Sequence, residues 1–399
     1  MTMARFLVSW LAGGLVVAGA WFGWTHTAEV DAAVAGPAGF VELGPTPEGE
    51  PLRTAGTEVG FACSGPTPRD AAGMDDLMGE LDRQPRLEGA DHGASIELAD
   101  GRRMYTYGDT IRADGIRPFM VRNSVLISNG DCVRPMPTEH DGPAIPSDGK
   151  QGYWPMSMRA RAVEGGTVVE VITATVSVRG TDSFETSGSN LATFEVPTGR
   201  MPRLVSHEPL GERTSDPRVP TWGAAMWDDG PWTYVFGTSS NADKSTAGWA
   251  LHVARTRPEE LGSLDEWEYW DGSSWVEGDP GAAQSEAAQL IGSSSGVSHV
   301  LSVIERDGSW YAISKEGDYH GVWLSVWKAP SVTGPYTKHR VRPLANDGKI
   351  RRYAPLAHPD VEIDSDRLLV SWSEAPTTHG PFYTHPELYR PKFAEIDLP

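Results

Sequence analysis

The sequence contains very little cysteine, with only Cys63 and Cys132 among its 399 residues. Two cysteines so far apart exclude a CxxC motif and a cysteine-rich metal site. In an exported protein, such a pair predicts a single disulfide between the two side chains. Two buried free thiols are the alternative.

Positive charge is also scarce. The chain has 34 Lys and Arg residues against 54 Asp and Glu residues, which gives a formal net charge of −20 at pH 7. Nucleic-acid grooves and polybasic lipid contacts both need clustered Lys and Arg side chains to meet phosphates. The composition therefore excludes nucleic acid as a partner, and membrane contact is expected only through the N-terminal segment.

The motifs of many cofactor-dependent and nucleophilic enzymes are missing. There is no HExxH, P-loop or dinucleotide fingerprint. Gly292–Gly296 spells GxSxG, but a nucleophile elbow needs a helix after it, and Val297–Glu305 has the pattern of a strand. No cofactor is expected. A structural calcium ion is the alternative because oxygen ligands are abundant, although no loop has the spacing of a known calcium motif.

One long apolar run is present, from Phe6 to Trp24, and it predicts an export signal. Residues 1–28 are therefore predicted to be a signal peptide or a membrane anchor. Small residues around Thr27 suit cleavage, whereas the length of the run and its Trp residues suit an anchor, and a buried cytoplasmic helix is a third alternative. Residues 29–60, rich in Ala, Gly, Pro and acidic residues, predict a flexible spacer. The protein is expected to be secreted or membrane-anchored and extracytoplasmic.

Long helical periodicity is missing from the rest of the chain, where short β-branched and aromatic runs alternate with Gly, Asp, Asn and Pro. Only two short helices are predicted, at Met74–Leu81 and near Pro258–Leu261. The predicted strands are Met104–Tyr107, Phe119–Ile127, Thr167–Val178, Leu191–Val196, Trp232–Phe236, Trp249–Arg255, Val297–Glu305, Trp310–Ser314, Val322–Lys328, Leu368–Ser373 and Phe393–Ile396.

These strands group into five similar units, and several contain a visible hairpin turn such as Asp100-Gly101 or Asp307-Gly308. The units begin near Asp91, Gly152, Trp222, His299 and Ala354. Radial repetition of this kind sequesters sheet edges, so residues 61–399 are predicted to form an all-β domain, a five-bladed β-propeller. A double β-sandwich is the alternative.

Two aspartates of the first unit are candidate catalytic residues. A hairpin turning at Asp100-Gly101 would return the chain so that Asp91 and Asp109 face the same end of the sheet. Paired carboxylates are what glycosidic bond cleavage requires, because one protonates the leaving oxygen and the other attacks carbon or activates water. The alternative is structural, with Asp91 capping a turn and Asp109 closing one.

An ordered set of short motifs carries a family resemblance. Asp91, Asp109-Thr110, Arg122-Asn123-Ser124, Tyr153-Trp154-Pro155 and Tyr353-Ala354-Pro355, followed by His358-Pro359, occur in that order. Together they resemble a bacterial five-bladed propeller family, formerly of unknown function, that includes the endo-D-arabinanases of mycobacteria. The resemblance covers the chain from about Asp91 to the C-terminus.

The resemblance implies a glycoside hydrolase that acts on the D-arabinan of cell-wall arabinogalactan and lipoarabinomannan, with Asp91 and Asp109 as acid and base or nucleophile. A cell-envelope polysaccharide is the expected partner of a monomeric protein. A propeller that binds glycan or protein without cutting it is the second hypothesis, and an esterase or lyase on the same scaffold is a weaker third. Candidate sugar-binding residues, each with a structural role as its alternative, are Asn123, Trp154, Trp222, His299, His358 and Glu374.

Overall fold

The computed structural model describes residues 60–61, 63–180, 183–240, 247–277, 288–378 and 380–399. The predicted signal or anchor segment and nearly all of the predicted spacer lie outside these ranges. Within the described ranges, no helix combines the length and the apolar composition needed to cross a bilayer.

The described residues form five antiparallel sheets that follow one another along the chain. The first sheet contains β1 Gly89–Glu97, β2 Arg103–Ile111, β3 Met120–Val121, β4 Ser124–Asn129 and β5 Cys132–Pro135. The second contains β6 Gln151–Val163, β7 Gly166–Gly180, β8 Ser183–Pro197 and β9 Arg203–Leu210. The third contains β10 Thr221–Asp229, β11 Trp232–Ser239, β12 Ala250–Thr256, β13 Glu268–Trp270 and β14 Trp275–Val276. The fourth contains β15 Ser302–Arg306, β16 Ser309–Glu316, β17 Trp323–Ala329 and β18 Thr337–Pro343, and the fifth contains β19 Ile350–Ala357, β20 Leu368–Pro376 and β21 Pro391–Ile396.

The first long strand of each sheet lines one central cavity of about 380 Å³. The five strands β1, β6, β10, β15 and β19 contribute one or more side chains each to its wall, including Ser95, Ser157, Met226, Ser302 and Leu356. Five sheets that share one axial channel are the blades of a propeller. The predicted five-bladed β-propeller is confirmed.

Helices are few and short among the described residues. They are α1 Ala71–Gly79, α2 Gly380–Thr384 and the 3-10 turns Glu80–Arg83, Glu139–Asp141, Pro258–Glu260, Leu264–Glu266, Asp318–His320 and Pro386–Leu388. The helix α2 was not predicted. The strand predicted to begin at Val297 begins only at Ser302, because Val297 instead exchanges backbone hydrogen bonds with Trp249 of the neighbouring blade.

Helix α1 packs between the first and the last blade. Met74, Leu77 and Met78 are fully buried on one face of α1, in a cluster that includes Tyr107 from the first blade and Phe393 from the fifth. Burial of these apolar side chains stabilises the contact between the two ends of the ring. The helix therefore takes part in closing the propeller.

The start of α1 depends on one side chain. Asp70 has extended backbone angles, and its Oδ1 accepts a hydrogen bond of 2.7 Å from the backbone N–H of Gly73. Loss of such an N-cap costs about 1 kcal/mol. We expect Asp70→Ala to lower the free energy of unfolding by that amount, measured by urea denaturation. Asp76→Ala, in the same helix but with no capping role, is the control, and an equal loss from both variants would contradict the assignment.

A disulfide joins Cys63 to Cys132, as predicted from the cysteine count, with 6.0 Å between the two Cα atoms. It ties the segment before α1 to β5 of the first blade. A disulfide of this kind is consistent with an extracellular protein.

Candidate active site

The blades share a local irregularity at one end of the central channel. Strands β1, β6, β10 and β19 each contain a register shift close to their first residues. In β1 and β19 the irregular positions are occupied by His92 and Ala354, whose φ angles of 65° and 45° lie in the left-handed region. Such backbone is costly for residues other than glycine and is concentrated at functional sites. We use the term mouth for the end of the channel at which the five inner strands β1, β6, β10, β15 and β19 begin.

Asp91 lies at the mouth and is almost completely buried, with 2% of its surface exposed. The Tyr353 hydroxyl donates a 2.9 Å hydrogen bond to its Oδ2. Burial raises the pKa of Asp91 to about 6, and the nearby Asp109 carboxylate acts in the same direction against the opposing influence of His92. Asp91 is therefore half protonated near pH 6.

Asp109 lies beside Asp91 in a different environment. In the β1–β2 ladder, Ala90 pairs with Thr110 and His92 pairs with Tyr107, so Asp91 faces the residues between them. One of these is Gly108, where a Cβ atom would stand only 2.5 Å from Asp91 Oδ1. The hairpin thus brings the two carboxylates to the same end of the sheet, and the missing side chain of Gly108 makes room for Asp91.

A guanidinium and an indole hold Asp109. Arg122 Nη1 contacts both carboxylate oxygens at 3.1 and 3.0 Å, and Trp154 Nε1 donates a 2.9 Å hydrogen bond to Oδ1. The Arg122 guanidinium also lies over the Phe184 ring, at 5.2 Å from its centroid. Asp109 itself is 3% exposed, whereas the Arg122 side chain is 27% exposed. A positive charge and a neutral donor therefore face Asp109, while Asp91 faces phenol groups.

Several buried polar atoms at the mouth have no hydrogen-bond partner within the protein. They include Nδ1 of His92, Nε1 of Trp222 and Nε2 of His299. Oδ1 of Asp91 and the hydroxyl of Tyr389 also lack a well-formed hydrogen bond, although contact between these two side chains acts to lower the pKa of Asp91. Burial of an unpaired polar group costs about 1–3 kcal/mol, so an accumulation of such atoms indicates a place where water or a ligand completes the hydrogen bonds. This set marks the mouth as the candidate active site.

Two histidines, His92 and His299, lie close enough for the charge of one to affect the pKa of the other. Burial lowers the pKa of His299 to about 4, and the nearby His92 acts in the same direction. The His299 ring meets the Trp249 ring edge to face at 4.7 Å, and Trp249 Nε1 donates a 2.8 Å hydrogen bond to Asp318. Burial raises the pKa of Asp318. The fourth blade therefore presents a second indole-bound carboxylate close to the predicted His299.

Two other residues predicted to contact sugar have their polar atoms engaged inside the protein. Asn123 donates from Nδ2 to the carbonyl oxygens of Ile145 and Tyr153, both at 3.0 Å, and its Oδ1 accepts from the Ile145 N–H at 2.7 Å. His358 is completely buried, with its ring nitrogens 2.8 and 2.7 Å from the hydroxyls of Ser95 and Ser371. Burial lowers the pKa of His358 to about 4. The contacts of both residues favour structural roles.

Trp222 and Glu374 both contact other side chains. Trp222 is 3% exposed and packs against Tyr269 in the third blade, with 5.4 Å between ring centroids, but its buried Nε1 has no hydrogen-bond partner within the protein. Glu374 accepts hydrogen bonds from Arg352 Nε at 2.9 Å and Trp372 Nε1 at 3.2 Å. Of the predicted sugar-binding residues, Trp154 is therefore the one in direct contact with a candidate catalytic carboxylate.

Sequence reasoning assigned no role to the two phenols beside Asp91. Tyr353 was noted only as part of the Tyr-Ala-Pro motif, and Tyr389 lies in the loop after α2, which was not predicted. The backbone of Tyr389 accepts a 2.7 Å hydrogen bond from the Ala90 N–H, which fixes this loop over the first blade. No sequence pattern indicated that contact, because it joins residues at opposite ends of the domain.

No group of three or more His, Cys, Asp or Glu side chains in the described part of the chain is arranged to hold a metal ion. The expected absence of a cofactor, and the alternative of a structural calcium ion, stay predictions.

Comparison with known protein families identifies the family of this chain. Residues 78–397 match the family described as a domain of unknown function, DUF5005. The chain belongs to the DUF5005 family. It matches none of the curated proteins.

Solved structures show that the DUF5005 fold is shared more widely. A Bacteroides ovatus protein described as a "putative hydrolase" has a TM-score of 0.63 at 16% identity, over 85% of this chain and 93% of its own. A glycoside hydrolase family 43 β-xylosidase/α-arabinofuranosidase from a compost microbial metagenome has a TM-score of 0.45 at 13% identity, over 79% and 96%. Levansucrase from Bacillus subtilis has a TM-score of 0.48 at 10% identity, over 84% and 94%. At 16% identity, the likeness to the Bacteroides ovatus protein shows the fold alone.

Proposed function

We propose that this DUF5005 protein is an extracytoplasmic glycoside hydrolase that cleaves furanosidic linkages in a cell-envelope polysaccharide. The observation that carries the proposal is the pair Asp91 and Asp109, two adjacent carboxylates in unlike surroundings at the mouth of a five-bladed propeller. The description of the Bacteroides ovatus protein as a hydrolase agrees with this reaction class.

The different environments of the two carboxylates suggest a different catalytic role for each. Asp91, whose pKa is raised to about 6, can hold a proton at neutral to mildly acidic pH and donate it to the leaving glycosidic oxygen. Asp109, which accepts hydrogen bonds from Arg122 and Trp154, is oriented as the base or nucleophile. These are the two roles that glycosidic cleavage needs.

The proposed substrate is the D-arabinan of arabinogalactan or lipoarabinomannan, cut within the chain. It rests on the resemblance to the endo-D-arabinanases carried by Asp91, Asp109 and the motifs that follow them. The net charge of −20 suits a neutral polysaccharide and disfavours polyanionic ligands. Export is consistent with the Cys63–Cys132 disulfide.

Glycan binding without cleavage is the second candidate function. It is favoured by the low exposure of the two carboxylates, 2% for Asp91 and 3% for Asp109. A buried pair can ligate sugar hydroxyls as well as perform acid–base chemistry.

Incubation of the purified protein with arabinogalactan, followed by detection of new reducing ends and released oligosaccharides, tests the proposal. Xylan, a pentose polysaccharide of another kind, is incubated in parallel to show whether release is specific to arabinogalactan. Release from arabinogalactan alone supports D-arabinan cleavage. Release from neither substrate, together with retention of the protein on immobilised arabinogalactan, would replace the hydrolase by the binding function.

Substitution of Trp154 tests whether its hydrogen bond to Asp109 contributes to activity. Trp154→Phe keeps an aromatic ring beside Phe184 but removes the indole N–H that donates to Asp109. Because hydrogen bonds to charged groups contribute about 1.5–3 kcal/mol, kcat/KM on arabinogalactan should fall at least tenfold with little change in melting temperature.

Trp267→Phe is the matched control for that test. It removes a buried indole whose N–H donates to the Leu261 carbonyl oxygen at 3.2 Å, in the core of the third blade. It should lower stability and leave kcat/KM unchanged. Equal kcat/KM losses from the two variants would show that Trp154 acts only through stability.

A further inference from the structure

One aromatic side chain departs from the burial pattern of the molecule. The sequence has 15 Trp, 11 Tyr and 10 Phe residues. Within the described ranges, Tyr383 is the only one of these side chains classed as exposed, with 51% of its surface accessible. Single exposed aromatic side chains are common on protein surfaces, so Tyr383 becomes a candidate ligand contact only through its surroundings.

Tyr383 does not stand alone. Its ring stacks on Phe119, with 4.9 Å between ring centroids and 21° between ring planes. Phe119 lies between β2 and β3, where its carbonyl oxygen accepts a 3.0 Å hydrogen bond from the Arg112 N–H just after the end of β2. The pair therefore joins a segment of the first blade to helix α2 of the fifth, and the stacking contact orients the Tyr383 ring.

The pair lies on the mouth side of the propeller. Strands β2 and β20 both run toward the mouth, because they pair antiparallel with β1 and β19, which begin there. Phe119 and Tyr383 belong to the loops that leave these two ends. They therefore occupy the rim of the mouth between the first and fifth blades.

A short chain of contacts connects the rim to the carboxylates. Phe382, next to Tyr383, packs edge to face against Tyr389 at 5.1 Å between centroids. Tyr389 is fixed to the first blade through Ala90 and lies close enough to Asp91 for each to influence the other's pKa. The exposed ring is thus anchored to the same loop that covers the proposed acid.

We propose that Tyr383, oriented by Phe119, is a stacking platform for a sugar ring of the glycan chain whose cleaved bond lies between Asp91 and Asp109. The inference rests on the proposed function and adds a distal sugar subsite to it. The flat phenol face can cover the C–H face of a furanose while its hydroxyl stays in water. An uncharged platform on an acidic protein suits a neutral sugar ring.

Binding measured without turnover tests the platform separately from the reaction. In an Asp109→Asn background, Tyr383→Ala and Tyr383→Phe would be compared by affinity electrophoresis and calorimetry with arabinogalactan, and with xylan in parallel. Loss of the ring should raise Kd roughly three- to tenfold, whereas Tyr383→Phe, which keeps the ring, should bind like its parent. Val276→Ala, at a 38% exposed position on β14 of the third blade, is the matched control and should not change Kd.

Kinetics on substrates of different length test the platform in a second way, with Tyr383→Ala as the only substitution in the protein. Tyr383→Ala should raise KM for the polymer severalfold, with kcat unchanged, and should leave the kinetics on the shortest cleaved oligosaccharide unaltered. A Kd unaffected by Tyr383→Ala, or a parent protein that binds neither polysaccharide, would overturn the platform. Binding that depends on Tyr383 in a wild-type protein that releases no products would support the platform and overturn the hydrolase.

Discussion

Asp109→Asn should lower kcat/KM on arabinogalactan by about 10²–10⁴, the range associated with loss of one acid–base group. The amide keeps an oxygen that can accept from Trp154 Nε1, so the geometry of the site should be preserved. It removes the negative charge that faces Arg122, and an amide oxygen is too weakly basic to act as the base or nucleophile. Reducing-end release at matched protein concentrations measures the effect.

Asp307→Asn is the matched control for this change. Asp307 lies in the β15–β16 turn, at the opposite end of the fourth blade from the mouth, with a 92% exposed side chain. Its left-handed φ of 54° is also well suited to asparagine. The control should keep full activity, and a wild-type rate retained by Asp109→Asn would remove Asp109 from the reaction.

The second large effect concerns the pH dependence of activity through Asp91. A general acid must carry its proton, and burial raises the pKa of Asp91 to about 6. The wild-type kcat/KM should therefore fall about tenfold for each pH unit above 6. Asp91→Asn should lose activity at all pH values. An activity that stays constant from pH 6 to pH 8 would contradict the assignment of Asp91 as the acid.

The same pKa predicts an effect on stability with a defined sign. The folded-state pKa of about 6 lies above the ordinary value of 3.8, so the native protein binds this proton more tightly than the unfolded chain. That contribution is fully present below about pH 4 and is lost as the pH rises through 6. A difference of about two pKa units corresponds to a contribution of about 3 kcal/mol to the free energy of unfolding.

Asp91→Asn, which stays uncharged, should therefore be about 3 kcal/mol more stable than the wild type at pH 8 and nearly equal to it at pH 4. Urea unfolding at the two pH values measures the difference. Asp307→Asn should show no comparable gain at pH 8. If Asp91→Asn were less stable than the wild type at pH 8, the surroundings of Asp91 would have to stabilise its charged carboxylate. That result would contradict the raised pKa of Asp91.

Much of the fold was readable from local patterns. Hairpins with Asp-Gly turns, short alternating strands and the absence of long helical periodicity predicted the five units, because strand pairing within a blade is local in sequence. The inner strands β1, β6, β10 and β19 were not among the predicted strands, and helix α2 and the late start of β15 were also missed. Helix α2 and the start of β15 depend on contacts with other blades, such as the bridge from Val297 to Trp249, which local propensity does not report.

Part of the candidate site could be predicted in the same way. The sequence predicted that Asp91 and Asp109 lie together because both belong to one hairpin, so their pairing follows from the turn between them. The groups that set their chemistry come from elsewhere in the chain. Tyr353 and Tyr389 come from the fifth blade, and Trp154 comes from the second.

The sequence by itself predicted the blade count, the candidate pair of aspartates and the disulfide partners, since each depends on short-range patterns or on a count of two. Only the tertiary structure decided which carboxylate is buried among phenols, which one faces a guanidinium, and that Tyr383 is the exposed aromatic at the rim. The physical reason is closure of the ring. Closure places residues separated by about 260 positions, such as Asp91 and Tyr353, within hydrogen-bond distance, and the pKa of each group depends on those distant neighbours.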